Sequence, residues 1–184
     1  MRIVAGTFGS RRLVAPAGHE TRPTSDRARE ALFAMLGDVA GARVLDCFAG
    51  SGALGLEALS RGAATCTFVE RDRAALSALR ANVAALDVGS RCAVRAADVR
   101  RSLRADAAAG RQYDLFLIDP PYPMLMDVLP ALDRLLGDLA PPGARLALES
   151  AAGDEPVVRG FQLDRRRRAG AATLSLFTRT EDPL

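Results

Sequence analysis

From residue 43 onward, short apolar runs alternate with segments whose apolar residues recur at helical spacing. The runs cover residues 43–48, 65–70, 92–96, 113–119 and 144–149, each of strand length. Residues 53–60, 73–85, 99–108 and 124–136 are the amphipathic segments between them. Continuous apolar strands separated by amphipathic helices predict a parallel sheet covered on both faces. After Ser150 the pattern changes. Residues 161–167 and 173–179 form two further strands separated only by a short Ala-Gly turn, which predicts an antiparallel hairpin at the sheet edge. Ahead of the alternation, residues 2–5 and 11–14 flank Gly6-Thr7-Phe8-Gly9-Ser10 and predict a small β-hairpin. Thr24 or Ser25 then caps a helix running to about Leu36, with Asp26 favourable in its first turn. Ala28, Ala31, Leu32, Met35 and Leu36 give that helix an apolar face.

Strand–helix units closed by a β-hairpin are the organisation of the class I S-adenosylmethionine-dependent methyltransferase fold, a Rossmann-like, mostly parallel sheet. Without the hairpin, the same units would suit many doubly wound enzymes. The expectation is a single domain over residues 1–184. Residues 1–40 form a hairpin-and-helix extension and residues 41–184 the Rossmann-like core.

Composition bounds the class. The chain has 184 residues, 49% of them apolar and 26% charged, which fits a soluble domain with its own core. No apolar run approaches the roughly 20 residues that span a bilayer, and the N-terminus lacks the apolar core of a signal peptide. A cytoplasmic protein with no membrane partner is expected. Cys47, Cys66 and Cys92 stand far apart in apolar runs and read as small core residues, not as a disulfide framework or a zinc site. His19, the one histidine, reads as a surface loop residue, so no metal is expected. The net charge of +3 permits a polyanionic partner without identifying one. All 25 cations are arginine, a bias that weakens any argument from arginine having been chosen for RNA. Their placement says more: Arg2, Arg11 and Arg12 come with no acid before residue 20, and residues 165–168 are a run of arginines.

The turn after the first core strand carries the first candidate chemistry. Gly50, Gly52 and Gly55 satisfy G-x-G-x-x-G, and Glu70 ends the next strand at about the ~20-residue distance of a dinucleotide fingerprint. Asp46, at the strand tip just before the turn, argues against a dinucleotide. A carboxylate there repels a pyrophosphate and attracts an ammonium group, which the methionine end of S-adenosylmethionine carries. Glu70 does not discriminate, because both cofactors present ribose hydroxyls. Phe48, Ser51 and Arg71 belong to the same expected cofactor set. Asp98, after the third strand, is placed either to cap a helix or to meet the adenine amine, and the two roles are compatible.

The fourth strand ends in Asp119-Pro120-Pro121-Tyr122. The prolines fix φ and remove two backbone donors. That leaves the Asp119 carboxylate and the Pro120 carbonyl as acceptors for the two hydrogens of an exocyclic amine. With both held, the amine lone pair turns towards an electrophile. Tyr122 would stack on the base. An ordinary Asp-Pro turn is the competing reading of a shorter motif.

The combination of Asp46 to Gly52, Glu70 and Asp119 to Tyr122 resembles the amino-methyltransferases that act on bases. Arg2-Ile3-Val4-Ala5-Gly6, Arg11-Arg12-Leu13, the stretch from Arg22-Pro23-Thr24 to Leu32-Phe33, and Gly52 to Ala63 resemble, more narrowly, the bacterial 16S ribosomal RNA guanine-N2 methyltransferases. That resemblance covers almost the whole chain. It implies S-adenosylmethionine as cofactor and 16S rRNA, within a 30S subunit or assembly intermediate, as partner, with no obligate protein partner and a monomeric state. It implies Thr24 beside the methionine end of the cofactor, Arg22 in the same pocket or on RNA phosphate, and Arg11 and Arg12 on the RNA surface. For Arg27 and Arg29, RNA contact and a solvated or salt-bridged helix face, for example with Glu30, stand level. Members often carry Tyr-Gly between the last two strands, where this chain has Arg168-Ala169-Gly170-Ala171. The competing functions are adenine-N6 methylation of DNA, a nicotinamide-dependent oxidoreductase and a non-catalytic RNA-binding protein.

Overall fold

The computed structural model describes residues 1–16 and 26–180. His19, Arg22, Pro23, Thr24 and Ser25 lie outside the described residues. Helix α1 (Asp26–Leu36) precedes the alternating core: β1 (Arg43–Asp46), α2 (Ala53–Ser60), β2 (Thr65–Glu70), α3 (Arg73–Ala85), β3 (Cys92–Ala96), α4 (Val99–Ala108), β4 (Leu115–Ile118), α5 (Tyr122–Leu139) and β5 (Arg145–Ala151). The chain closes with β6 (Phe161–Ala169) and β7 (Ala172–Arg179). They form one seven-stranded sheet in the order β3-β2-β1-β4-β5-β7-β6. The first five strands run parallel, and β7 runs antiparallel to both β5 and β6. The order reverses between β1 and β4, where doubly wound sheets open a crevice beyond the C-terminal strand ends.

Side chains alternate across the sheet, and two cores result. Val44, Leu115 and Leu117 pack with α1, α2 and α3, while Leu45, Phe116 and Ile118 pack with α4 and α5. The central strands are apolar throughout because helices cover both of their faces. Arg145 of β5 ties α1 to the sheet through the Asp38 carbonyl at 2.7 Å and the Leu36 carbonyl at 2.5 Å. Cys47 and Cys66 are buried and Cys92 partly so. Burial pushes all three thiols up, Cys92 to about 11.

Three local differences from the sequence expectation have physical causes. The N-terminal hairpin is narrower than two full strands. One bridge joins Arg2 to Arg12, flanked by Ile3 N–H to the Arg11 carbonyl at 2.9 Å and Leu13 N–H to the Met1 carbonyl at 3.1 Å. Val4 and Ala5 donate instead to the Glu57 carboxylate of α2, at 2.7 and 3.0 Å. Gly6, at φ +83°, lies so close to the Ser60 carbonyl that a Cβ would sit 2.0 Å from its oxygen.

Arg29 is the second difference. It is fully buried, not on a solvated face, and its partner is not Glu30. It donates to the Arg2 carbonyl and, at 2.7 Å, to Asp26 Oδ1, pinning the start of α1 to the N-terminal strand. Third, α5 starts at Tyr122, two residues before the predicted 124, because the proline-rich entry suits a helix N-terminus. Pro130 sits inside α5 on its exposed side, where water can serve the freed carbonyl.

Candidate active site

The turn between β1 and α2 is built by glycine. Gly50 and Gly52 hold φ at +55° and +85°, a region that β-carbons disfavour. A Cβ on Gly52 would meet Leu79 Cδ1 at 2.4 Å, and one on Gly55 would meet Phe68 Cε1 at 2.4 Å. Gly55 lets α2 lie close on β2, and Gly52 lets the turn lie close on α3. A Cβ on Gly50 would meet nothing within 4 Å, so the space beside its Cα stays open to a ligand. Glu70, at the end of β2, holds the turn from the side: its Oε2 accepts from Gly50 N–H at 2.8 Å. Its Oε1 accepts from Arg71 and Asp72 N–H at 2.7 and 2.8 Å. The Ser51 carbonyl accepts from Asn82 Nδ2 at 2.9 Å. Asn82 also binds both backbone groups of Val14, at 2.7 and 3.0 Å.

Asp46 ends β1 beneath this turn and is 1% exposed. Its Oδ2 accepts from Gly55 N–H at 3.0 Å. Oδ1 is buried without a hydrogen bond of good geometry among the described residues. Burial pushes the carboxyl up to about 7, opposed by the Gly55 and Phe48 amides and reinforced by the charges of Asp119 and Glu70. A buried carboxylate in this state gains most from a nearby cation. An ammonium group fits that need and a pyrophosphate does not.

The second half of the site lies across the β1–β4 switch. Asp119 to Tyr122 leave the C-terminal end of β4, and Tyr122 opens α5. The Tyr122 hydroxyl donates to Glu149 Oε1 of β5 at 3.0 Å. A single cleft of about 1460 Å³ joins both halves. Asp46, Phe48, Gly50, Ser51, Glu70, Arg71 and Asp98 line it, and so do Asp119, Pro120, Pro121 and Tyr122. Gly52 lies behind the wall, packed on Leu79. Asp98 caps α4, with Oδ1 accepting from Arg100 N–H at 2.9 Å, and also faces the cleft. Arg71 reaches over it, 4.0 Å from Asp98.

Four further groups complete the cleft wall, and of these Glu149 escapes sequence reasoning. Glu149 comes from β5, Arg27 from α1, and Arg167 and Arg168 from β6, beside the turn that joins β6 to β7. Arg166 is held elsewhere, by Ser175 Oγ and the Pro156 carbonyl. Arg11 and Arg12 are exposed and outside the cleft lining, and Arg11 donates to the Ala85 carbonyl at 2.9 Å. The signal that could have found Glu149 is the apolar run that it ends.

A mixed sheet of this order, with its one reversed strand between β5 and β6 and its glycine turn after β1, defines the class I S-adenosylmethionine-dependent methyltransferase fold. The model of the family described as Conserved hypothetical protein 95 matches residues 1–178, and the chain belongs to that family. It is 43% identical over 123 residues to ribosomal RNA small subunit methyltransferase D of Escherichia coli K12, covering 66% of this chain and 60% of that protein. The counterpart of the same description in Haemophilus influenzae is 36% identical over 127 residues, covering 66% of this chain and 64% of that protein. Each alignment thus spans under two thirds of the relative. Among solved structures, yhhF of Escherichia coli aligns over 99% of both chains at 36% identity with a TM-score of 0.86. A hypothetical protein of Thermus thermophilus aligns over 96% of this chain and 98% of its own at 32% identity and a TM-score of 0.83.

Proposed function

We propose that this chain transfers a methyl group from S-adenosylmethionine to the exocyclic N2 amine of a guanine in small-subunit (16S) rRNA. The observation that carries the reading is the single cleft holding Asp46 and the glycine turn at one place and Asp119 to Tyr122 at the next. Its volume of about 1460 Å³ exceeds the roughly 300–1,000 Å³ of an ordinary small-ligand site, which leaves room for a cofactor and a base side by side.

The residues present fit the cofactor. Asp46 offers a buried counter-charge for its ammonium, Gly50 open space beside its Cα, and Glu70 and Asp98 acceptors for its ribose and adenine. Bound there, S-adenosylmethionine supplies an electrophilic methyl carbon: the amine lone pair forms the N–C bond as the C–S pair returns to sulfur, and the amine sheds one proton. Asp119 and the Pro120 carbonyl hold the amine hydrogens so that the lone pair faces the methyl group, and Asp119 passes the surplus proton to solvent. Tyr122 stacks on the base. Catalysis is positioning plus acceptors set where positive charge develops, with in-line geometry.

Arg27, Arg167 and Arg168 ring the cleft where phosphates flanking an extruded base would lie. Arg11 and Arg12 extend the basic surface beyond it. Arg22 and Thr24 keep the roles that the family resemblance gives them, on RNA or in the pocket and at the methionine end. The partner is rRNA in a 30S subunit or assembly intermediate, met by a cytoplasmic monomer. Among the described residues, no helix is long and apolar enough to cross a membrane.

The test is methyl transfer to small subunits lacking the modification, followed by mass spectrometry of the nucleosides. N2-methylguanosine is the expected product. Methyladenine from duplex DNA would replace this reading with the DNA one. Calorimetric binding of NADH without S-adenosylmethionine would replace it with the oxidoreductase one.

A further inference from the structure

Asp119 to Tyr122 can hold an exocyclic amine, but adenine and guanine both carry one. Something else in the cleft must choose between them. Glu149 stands where that choice can be made. It follows Leu148, which pairs with Ile118, so Glu149 lies beside Asp119 one step past the last paired residues of β4 and β5. Adjacent strands lie about 4.8 Å apart, so the two side chains start as close neighbours. Glu149 is 8% exposed, lines the cleft, and is anchored by the hydroxyl of Tyr122 at 3.0 Å. The aromatic platform, the amine acceptor and this second carboxylate therefore share one wall.

Guanine presents two adjacent kinds of donor on its Watson–Crick edge, the N2 amine and the N1–H. Adenine presents its N6 amine beside a bare N1, which is an acceptor. We propose that Glu149 is the specificity-determining residue of this site and accepts the N1–H of the target guanine while Asp119 and the Pro120 carbonyl take the amine. The inference rests on the guanine reading above. A carboxylate accepts N1–H in a charge-assisted hydrogen bond, stronger than a neutral one. Facing the bare N1 of adenine, the same carboxylate meets a second acceptor and the two repel. Sites built to hydrogen-bond a substrate group reject analogues lacking it far better than apolar pockets do. The Tyr122 contact gives Glu149 a second task, holding the ring on which the base stacks, and the experiment must separate the two.

2-Aminopurine separates them. It keeps the amine at position 2 but has a bare N1. Small subunits are reconstituted with rRNA carrying guanine or 2-aminopurine at the target, and kcat/KM is measured for each with the full-length enzyme. The wild type should prefer guanine by at least about tenfold, the cost of one good hydrogen bond. Glu149→Gln, which can present an N–H to the bare N1, should narrow or reverse the preference while S-adenosylmethionine affinity by calorimetry stays within about twofold. Tyr122→Phe removes only the hydroxyl that Glu149 holds, and should keep the preference for guanine whatever happens to its rate. Equal use of the two bases by the wild type would overturn the proposal. So would a wild-type ratio in Glu149→Gln, or loss of the ratio in Tyr122→Phe. If Glu149→Gln fails to fold, the wild-type and Tyr122→Phe ratios still decide. A wild type that methylates no guanine at all overturns the function reading instead.

Discussion

Asp46 and Asp119 make opposite demands on the same cleft. Burial raises the Asp46 carboxyl from its ordinary value of 3.8 to about 7, so in the ligand-free protein its ionisation costs stability. The penalty is absent below the unfolded value, grows as pH rises, and is complete above about 7. An ammonium ligand reverses it by favouring the charged form. Binding of S-adenosylmethionine near pH 6.5 should therefore release a proton. Calorimetry in buffers of different ionisation heat should show this for the wild type and not for Asp46→Asn. Asp119→Ala should abolish transfer. Its cofactor affinity should hold or rise slightly, because the Asp119 charge is one of the groups pushing Asp46 up. Undiminished turnover in that variant would remove Asp119 from the chemistry. Both carboxylates were legible in the sequence because each sits at the end of an apolar run, next to a glycine or proline turn. Glu149 ends such a run too, but Ser150 and an alanine pair follow it, and no glycine or proline adjoins it.

Among the elements, α2 does two jobs. Gly55 seats it on the sheet, and Glu57 and Ser60 take the backbone of the N-terminal arm. A methyl group on Gly55 would drive into Phe68 and Cys66, so Gly55→Ala should cost about 1–3 kcal/mol in a urea titration. Asn82 ties α3 to both the arm and the cofactor turn. Asn82→Ala would leave the buried Ser51 carbonyl and part-buried backbone groups of Val14 unpaired, which should cost about 1–3 kcal/mol and also weaken cofactor binding. Unchanged stability would mean that these groups find other partners. Helix and strand positions were readable because local periodicity fixes them to within a few residues. The burial of Arg29 and the Glu57 contacts were not. Each depends on a partner tens of residues away, and an arginine or glutamate at a helical position looks the same in sequence whether solvent or backbone meets it.

Across the whole molecule, the cleft gathers groups from α1 and from nearly every β-strand's C-terminal end, which no single stretch of sequence can reveal. Its basic rim makes a salt-dependent prediction. Replacing Arg167 and Arg168 together by alanine should weaken rRNA binding and reduce the dependence of log K on log salt by up to about two contacts' worth. Cofactor affinity should not change. A salt slope equal to the wild type's would place the RNA elsewhere. The rim exists because β7 runs backwards. Ala172 begins β7 opposite Ala151, where β5 ends, so the turn joining β6 to β7 is delivered to the reactive edge of the sheet. The connections after β1, β2, β3 and β4 at that edge lead into helices that must pack, while this one is a bare reversal between two strands. Residues 169–172 are thus the place where evolution, or a designer, can graft a longer loop and reshape the cleft mouth without disturbing the core.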